Sequence, residues 1–543
     1  MNGKKSALLI IIALFSLTGS NPVFACSSLI VTRGASADNS VYVTYTCDAE
    51  FHPYLEVIPG GNHESGATLK KTRWTQGLEG KIKQVPQTYS VIGSSSAGLI
   101  NDQQVAIGET TFGGRYELVN REGLLDYEDL MILALQRANT ARQAVIIMGQ
   151  LAVEYGYRSS GESFSIGDTT EAWIMEMIGP GNGGNGAAWV ALRIPDGYIS
   201  CHANKARIGQ FSQDDPENCL YSKNVISVAV ENGLYDPNSA EPFSFHDAYD
   251  PDTLNNRRYG AARVWSFFRR AAPSLNLSDD YPRGVPGAKP FPLWIKPDKK
   301  LSTKDVFALM RDHYEGTPYD MTKGVDAGPF GNPNRWRGMD WKVDDVDYVW
   351  ERPISTQQTA YSMIAQLRDS LPNPIGGVLW FGMDDTYTTC YTPLYCCIDQ
   401  VPKSFDSGTI DTFSWDSAWW TFNFVANYAC LKYSYMIKDI QAVQSEIEDS
   451  LLLLQPDVEA TALRLHRKNP DLMKRYLTDY SVTHGDSTVR RWRELGVFLI
   501  AKYNDGYVNR REVGYPEEWL KKVIKENPDQ FRVKQSEDNF IYN

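Results

Sequence analysis

The feature that most constrains this chain is its start, an apolar leader that ends in Val-Phe-Ala directly before a cysteine. Two lysines precede the apolar run 7–17, and Val23 and Ala25 supply small residues at the positions where a signal peptidase cuts. The run is shorter than the roughly 20 residues of a membrane-spanning helix. We therefore expect cleavage after Ala25, export of the chain, and a mature protein that begins with Cys26.

An N-terminal cysteine would carry its own base. A free thiol has a pKa of about 8.5, and an α-amino group at about 7.7–8.0 can accept its proton. Cys26 is therefore a candidate nucleophile that becomes active when the leader is removed. Two alternatives stay open: Cys26 is an ordinary structural cysteine, or it is the acylated cysteine of a surface lipoprotein. The bulky Phe24 fits the lipoprotein motif poorly.

Composition narrows the class of partner. Of the 543 residues 42% are hydrophobic and 22% charged, which is enough for a large buried core, and the net charge of −12 argues against nucleic acid or an anionic membrane surface. No later stretch is long and apolar enough to span a membrane. The eight cysteines and seven histidines form no CxxC or HExxH pattern, so we infer no zinc site. The chemistry of an N-terminal cysteine nucleophile implies no other metal and no organic cofactor.

The order of segments predicts a layered α+β fold. The runs SSLIVT and VYVTYTC predict a hairpin at the mature start, and two helices are expected over 127–138 and after the cap Thr140. Four short strands then follow in succession as far as Asn204. The chain divides into a leader, a main domain with insertions and a mostly helical extension, at 1–25, 26–426 and 427–543.

The stretch CSSLIVTRGASADNSVYVTYTCD resembles the mature start of the N-terminal-cysteine dipeptidases of the dipeptidase A type. The resemblance continues through AIGETTFGGR, LQRANTARQAV, GESFSIGDTTEAWIMEMIG, WVALRIPDGYISCHAN and STQQTAYSMIAQLR. It covers most of the chain from Cys26 to about Cys397. It implies a four-layer αββα sandwich of the N-terminal-nucleophile hydrolases, and an exported enzyme that cuts dipeptides.

The resemblance also implies roles for five residues. Cys26 matches the nucleophile, Asp48 the acid that orients the α-amine, and Asn204 the amide that helps to form the oxyanion hole. Glu109 and Thr110 match a pair near the cleft, where a carboxylate would bind the ammonium group of a dipeptide.

One departure is that Tyr45 and Thr46 stand where many relatives have Arg-Asn. Either an arginine elsewhere replaces that cation, with Arg257, Arg258 and Arg263 as candidates, or thiolate formation relies on the amine alone.

Two alternatives to a dipeptidase remain. A hydrolase of linear acyl amides, such as conjugated bile acids or penicillins, would keep the mechanism and change the substrate. An acylated surface lipoprotein would have no enzymatic function. The expected location is periplasmic or extracellular, or the lipid-anchored surface in the lipoprotein case, and the oligomeric state is left open, a homo-oligomer included.

Overall fold

The computed structural model describes residues 26–71, 80–95, 97–336 and 338–532; the predicted leader lies outside them. The strands are β1 Ser28–Val31, β2 Val41–Asp48, β3 Leu55–Ile58, β4 Gly61–Asn62, β5 Thr68–Lys71, β6 Gly80–Lys83, β7 Gln87–Thr88, β8 Val91–Ser94, β9 Ala97–Asn101, β10 Ala106–Gly113, β11 Gly161–Gly167, β12 Ala172–Ile178, β13 Ala188–Arg193, β14 Ile199–His202, β15 Cys219–Tyr221, β16 Trp294–Ile295, β17 Asp340–Val343, β18 Val346–Val349, β19 Thr359–Leu367, β20 Val378–Met383 and β21 Thr392–Tyr395. The helices are α1 Tyr127–Arg137, α2 Ala141–Tyr155, α3 Ser227–Glu231, α4 Phe245–Tyr249, α5 Leu254–Asn256, α6 Ala262–Ala271, α7 Asp280–Arg283, α8 Thr303–Leu309, α9 Asn373–Gly376, α10 Ala418–Ala429, α11 Tyr433–Lys468, α12 Pro470–Lys502 and α13 Glu517–Glu526.

Two large antiparallel sheets form the centre of the protein. The first has the order β16-β14-β1-β2-β19-β20-β21 and the second β15-β13-β12-β11-β10-β9-β8-β3. Strands β1 and β2 of the first sheet pack against β10 and β11 of the second. Strands β1, β2 and β19 of the first sheet and β11 of the second are buried at every position, because each sheet has the other sheet on one face and helices on its opposite face.

Helices cover the outer faces. Helices α1 and α2 pack on the second sheet, against β8 and β9 and against β11 and β12 respectively. Helices α6, α8, α10 and α12 pack on the first sheet. The Asp126 carboxylate caps α1 and the Thr140 hydroxyl caps α2, as the sequence predicted for Thr140. The mixed α and β content and the helical C-terminal region are confirmed.

The sequence located most elements but not which sheet each strand joins. The predicted hairpin is β1 and β2, and GPGNGGNG is the loop between β12 and β13. Three of the four consecutive strands, β11 to β13, lie side by side in the second sheet, whereas β14 crosses to the first sheet and pairs with β1. This crossing brings the segment that ends at Asn204 close to the strand that begins after Cys26.

Close packing of the two sheets at the centre depends on a glycine. A Cβ atom on Gly108 would lie 2.7 Å from the Thr44 carbonyl oxygen and 3.1 Å from the Tyr45 Cβ. No larger residue fits there without moving the backbone of β2. Gly108 therefore allows β10 to deliver its next residue, Glu109, directly against the start of β1.

Candidate active site

Cys26 lies between the two sheets, just before β1. Its sulfur is 3.6 Å from the Glu109 Oε1 atom on β10 and 4.0 Å from the Tyr45 hydroxyl oxygen on β2. The Tyr45 hydroxyl donates to the same Glu109 oxygen at 2.7 Å. All three side chains are buried, with 1% of each residue exposed. The structure therefore brings two of the predicted site residues, Cys26 and Glu109, into contact.

This arrangement explains what Tyr45 does in place of a cation. Its phenol is a neutral donor to Glu109 and supplies no positive charge to the thiol. Burial, ahead of contact with the Cys47 thiol and the charges of Glu109 and Asp48, raises the pKa of the Cys26 thiol well above its usual value. The sulfur is therefore protonated in this environment unless another base is added.

Asp48 ends β2 and is fully buried. Its carboxylate accepts from the Thr359 hydroxyl at 2.8 Å and from the Arg352 guanidinium at 3.3 Å. Burial raises the pKa of Asp48, and the charge of Arg352 opposes that rise. No local motif pointed to Arg352, because it is 304 residues from Asp48 along the chain.

Arg263 is the arginine at the site among the three candidates. The chain enters α6 through a π-helical segment, Arg257–Ala261, a distortion that is frequent at functional sites. From α6 the Arg263 guanidinium donates to the Cys26 carbonyl at 2.7 Å and to the Asn204 Oδ1 atom at 2.8 Å. Arg257 instead forms an ion pair with Asp252, and Arg258 forms one with Glu351.

Asn204 lies two residues after β14 in the left-handed backbone region, at φ 52°, which asparagine tolerates better than most residues. Its Nδ2 atom donates to the Thr111 carbonyl at 2.6 Å, while its Oδ1 atom accepts from Arg263. Its side chain is thus fixed at both ends. Arg263 links it directly to Cys26, the nucleophile candidate.

Thr110 holds the backbone of this loop. Its hydroxyl oxygen accepts from the Asn204 N–H at 3.2 Å and is 2.7 Å from the Nδ1 atom of His202. The other nitrogen of His202 is 2.7 Å from the Ser165 hydroxyl, which is 2.7 Å from the Ser28 hydroxyl on β1. Burial lowers the pKa of His202 to about 3, so the ring is neutral. Sequence reasoning assigned no role to His202.

A second carboxyl group lies beside Glu109. Glu162 on β11 accepts from the Thr111 hydroxyl at 3.0 Å, and its carboxyl group hydrogen-bonds with that of Glu109. Burial first, and then the charge of Glu109, raises the pKa of Glu162 well above its usual value. Burial likewise raises the pKa of Glu109, so this environment favours a proton on the carboxyl pair. Glu162 stands in the strand GESFSIG, where a lone acid among buried residues was the signal that sequence reasoning missed.

Within the described part of the chain, no cluster of three or more histidine, cysteine, aspartate or glutamate side chains has the arrangement of a metal site. In those same ranges no helix combines the length and the apolar character that crossing a bilayer requires.

Comparison with known proteins identifies the group to which the chain is similar. The sequence model of Peptidase family C69 matches residues 25–446. A probable dipeptidase of Salmonella dublin is 27% identical over 416 residues, which cover 73% of this chain and 86% of that protein. A probable dipeptidase A of Streptococcus pyogenes serotype M3 (strain SSI-1) is 25% identical over 436 residues, 77% of this chain and 85% of that protein. The dipeptidase A of Lactobacillus helveticus is 24% identical over 447 residues, 78% and 84% of the two chains. The resemblance drawn from the sequence motifs is confirmed.

Proposed function

The chain belongs to peptidase family C69, and from this premise we propose that it is a cysteine dipeptidase with Cys26 as its N-terminal nucleophile. The observation that carries the proposal is the contact of the Cys26 sulfur with Glu109. It is joined by the hydrogen bonds that the Arg263 guanidinium donates to both Cys26 and Asn204. The Cys26 thiol, the Glu109 carboxyl group and the hydrogen-bonded amide of Asn204 thus belong to one site.

Removal of the leader would supply the missing base. While Ala25 precedes it, the Cys26 nitrogen is an amide and accepts no proton. The raised pKa of the Cys26 thiol is what a latent nucleophile would have. Once the bond is cut, the α-amine takes the thiol proton and the sulfur attacks the peptide carbonyl. The ammonium then protonates the leaving amine, and a thioester remains for water to hydrolyse with the amine as base.

Asp48 and Asn204 have complementary roles in this scheme. Asp48 follows Cys47, which the β1–β2 register sets opposite Cys26, and in this scheme its carboxylate accepts a hydrogen bond from the new α-amine. Asn204 stabilises the negative oxygen of the tetrahedral intermediate through its side-chain N–H, and loss of such a donor costs about 3–4 kcal/mol. Arg263 does not touch substrate in this scheme and acts by positioning both groups.

The acid pair favours peptides over acyl amides. A single proton held by this pair would leave one negative charge on Glu109 and Glu162 together, and the Glu109 Oε1 atom lies 3.6 Å from the Cys26 sulfur. Such a charge suits the free ammonium group of a dipeptide, whereas an apolar acyl chain packed against it would desolvate the charge without pairing with it. Thr110 would then contribute by holding the Asn204 loop beside the bound peptide.

The remaining expectations belong to the same proposal. Two facing sheets with helices on both outer faces support the αββα sandwich of the N-terminal-nucleophile hydrolases. The leader supports export, and the boundaries at 26–426 and 427–543 stay predictions, as does the oligomeric state. No metal or organic cofactor enters the scheme.

Two measurements test this function. Mass spectrometry of the exported protein should find an unblocked Cys26 as the first residue; a diacylglyceryl group there would instead support the lipoprotein alternative. Hydrolysis of unblocked dipeptides, followed by release of free amino acid, should be lost in Cys26→Ala and weak in Cys26→Ser. Cys201→Ala is the matched control, because Cys201 is also a buried cysteine of the first sheet and faces Leu29. Full turnover by folded Cys26→Ala would refute the proposal.

A further inference from the structure

Strand register places a second cysteine opposite the proposed nucleophile. Ile30 pairs with Val43, and Ser27 forms an isolated antiparallel bridge with Thr46. The same register sets Cys26 directly opposite Cys47. The Thr46 N–H donates to the Ser27 carbonyl at 3.0 Å, so Ser27 and Thr46 form a hydrogen-bonded pair. Because the two kinds of pair alternate along an antiparallel ladder, Cys26 and Cys47 form a non-hydrogen-bonded pair.

This kind of pair has the spacing of a disulfide. Residues in non-hydrogen-bonded pairs have Cα atoms about 4.5 Å apart, and disulfides bridge Cα separations of about 4.4–6.8 Å. Cys26 and Cys47 are both free thiols and both are buried, and residues directly opposite each other project their side chains from the same face of the sheet. By contrast, Cys201 opposes Leu29 and Cys219 opposes Leu192.

We propose that Cys26 and Cys47 are an oxidation site, at which a peroxide converts the two thiols into a reversible disulfide that blocks the nucleophile. The Cys26 thiolate attacks one oxygen of hydrogen peroxide, giving a sulfenic acid and one water. The Cys47 thiol then attacks that sulfur, forms the S–S bond and releases the second water. Two thiols are oxidised, one peroxide is reduced, and a dithiol reverses the step.

The consequence for activity rests on the proposed function, since only a catalytic Cys26 would lose activity when it is bonded. A cleft that admits a peptide carbonyl to this sulfur also admits hydrogen peroxide. Cys47 would then protect the enzyme, because a sulfenic acid with no nearby thiol proceeds to the irreversible sulfinic acid.

The cross-link can be read independently of activity. Arg33 is the single basic residue between the two cysteines, so trypsin separates them. After peroxide treatment of the mature full chain, we expect a disulfide-linked pair of tryptic peptides, one with Cys26 and one with Cys47, that dithiothreitol separates. Treated wild type should lose dipeptidase activity and regain most of it with dithiothreitol. Treated Cys47→Ser should regain little, relative to its own untreated activity, and Cys201→Ala should behave as wild type.

The outcomes separate this proposal from the function itself. Absence of the linked peptides, or recovery of Cys47→Ser as complete as that of wild type, overturns the oxidation site. If the linked peptides form but activity does not change, the disulfide stands and Cys26 is not the nucleophile. If Cys26→Ala is inactive and no linkage forms, the function stands and the oxidation site fails.

Discussion

Replacing Arg263 with lysine tests whether one buried guanidinium aligns the nucleophile with the oxyanion amide. The side chain is fully buried in α6, and burial, ahead of the charge of Arg352, lowers its pKa to about 10, which leaves it charged at neutral pH. Its donors reach five acceptors: the carbonyl oxygens of Tyr259, Cys26 and Ala203, the Ser27 hydroxyl and the Asn204 Oδ1 atom. Lysine keeps the charge but has three donors in a different geometry.

The expected loss of stability follows from the number of hydrogen bonds that lysine cannot replace. At least two of the five acceptors, three of which are buried, lose their donor, and each buried group left unsatisfied costs about 1–3 kcal/mol. We therefore expect the free energy of unfolding to fall by about 2–6 kcal/mol. Displacement of Cys26 relative to Asn204 by about 1 Å should lower kcat about 10²-fold. KM should change much less, because the acid pair that is proposed to bind the substrate ammonium is untouched.

Chemical denaturation and steady-state kinetics with an unblocked dipeptide measure the two effects. Arg257→Lys is the matched control: Arg257 precedes α6 and forms an ion pair with Asp252 while partly exposed, so its loss should cost less than about 1 kcal/mol. The reasoning fails if Arg263→Lys matches wild type in stability and kcat. It also fails if KM rises while kcat holds, because that would place Arg263 in substrate binding.

Three further perturbations test other parts of the site and fold. Asn204→Gly suits the left-handed backbone at φ 52° and should lower kcat about 10²–10³-fold in the same kinetic assay; an unchanged kcat would remove Asn204 from the oxyanion hole. Glu109→Gln should raise KM for unblocked dipeptides about 10–100-fold, which corresponds to the loss of one hydrogen bond to a charged group. Glu162→Gln keeps a donor toward Glu109 and should change KM much less. Equal effects of the two variants on KM would contradict the shared-proton pair. Asp384, buried with a pKa raised to about 8 by burial, stays protonated in the folded state while the unfolded state releases its proton near 3.8, so stability is lost as pH rises between these values. Asp384→Asn should thus gain on wild type by at most about 4 kcal/mol between pH 5 and pH 8 in denaturation curves, and a pH-independent difference would refute the assignment.

Local patterns in the sequence were sufficient for the elements and for the first members of the site. Two β-branched apolar runs with a turn-forming stretch between them located the hairpin that follows Cys26, and the Thr140 hydroxyl caps α2 as expected. The motif GETTFGG drew attention to Glu109, which the structure places against the sulfur. These signals work because a cap, a turn or a strand period depends on residues that are neighbours along the chain.

Partners that lie far apart along the chain had no local sequence pattern that could reveal them. Arg352 reaches Asp48 across 304 residues, and nothing near either residue encodes that pairing. Sequence reasoning left three arginines as candidates, and only the packing of α6 selected Arg263. Cys47 looked like one of several cysteines until the register of β1 and β2 set it opposite Cys26.

The amino-acid sequence by itself predicted the leader and the nucleophile candidate, and it indicated the family and the layered mixture of strands and helices, because each depends on short stretches of chain. The tertiary structure alone decided which carboxylates, guanidinium groups and thiols surround that sulfur. Sheet register and the crossing of β14 bring together groups that lie hundreds of residues apart, and burial between two sheets then sets which of them hold a proton.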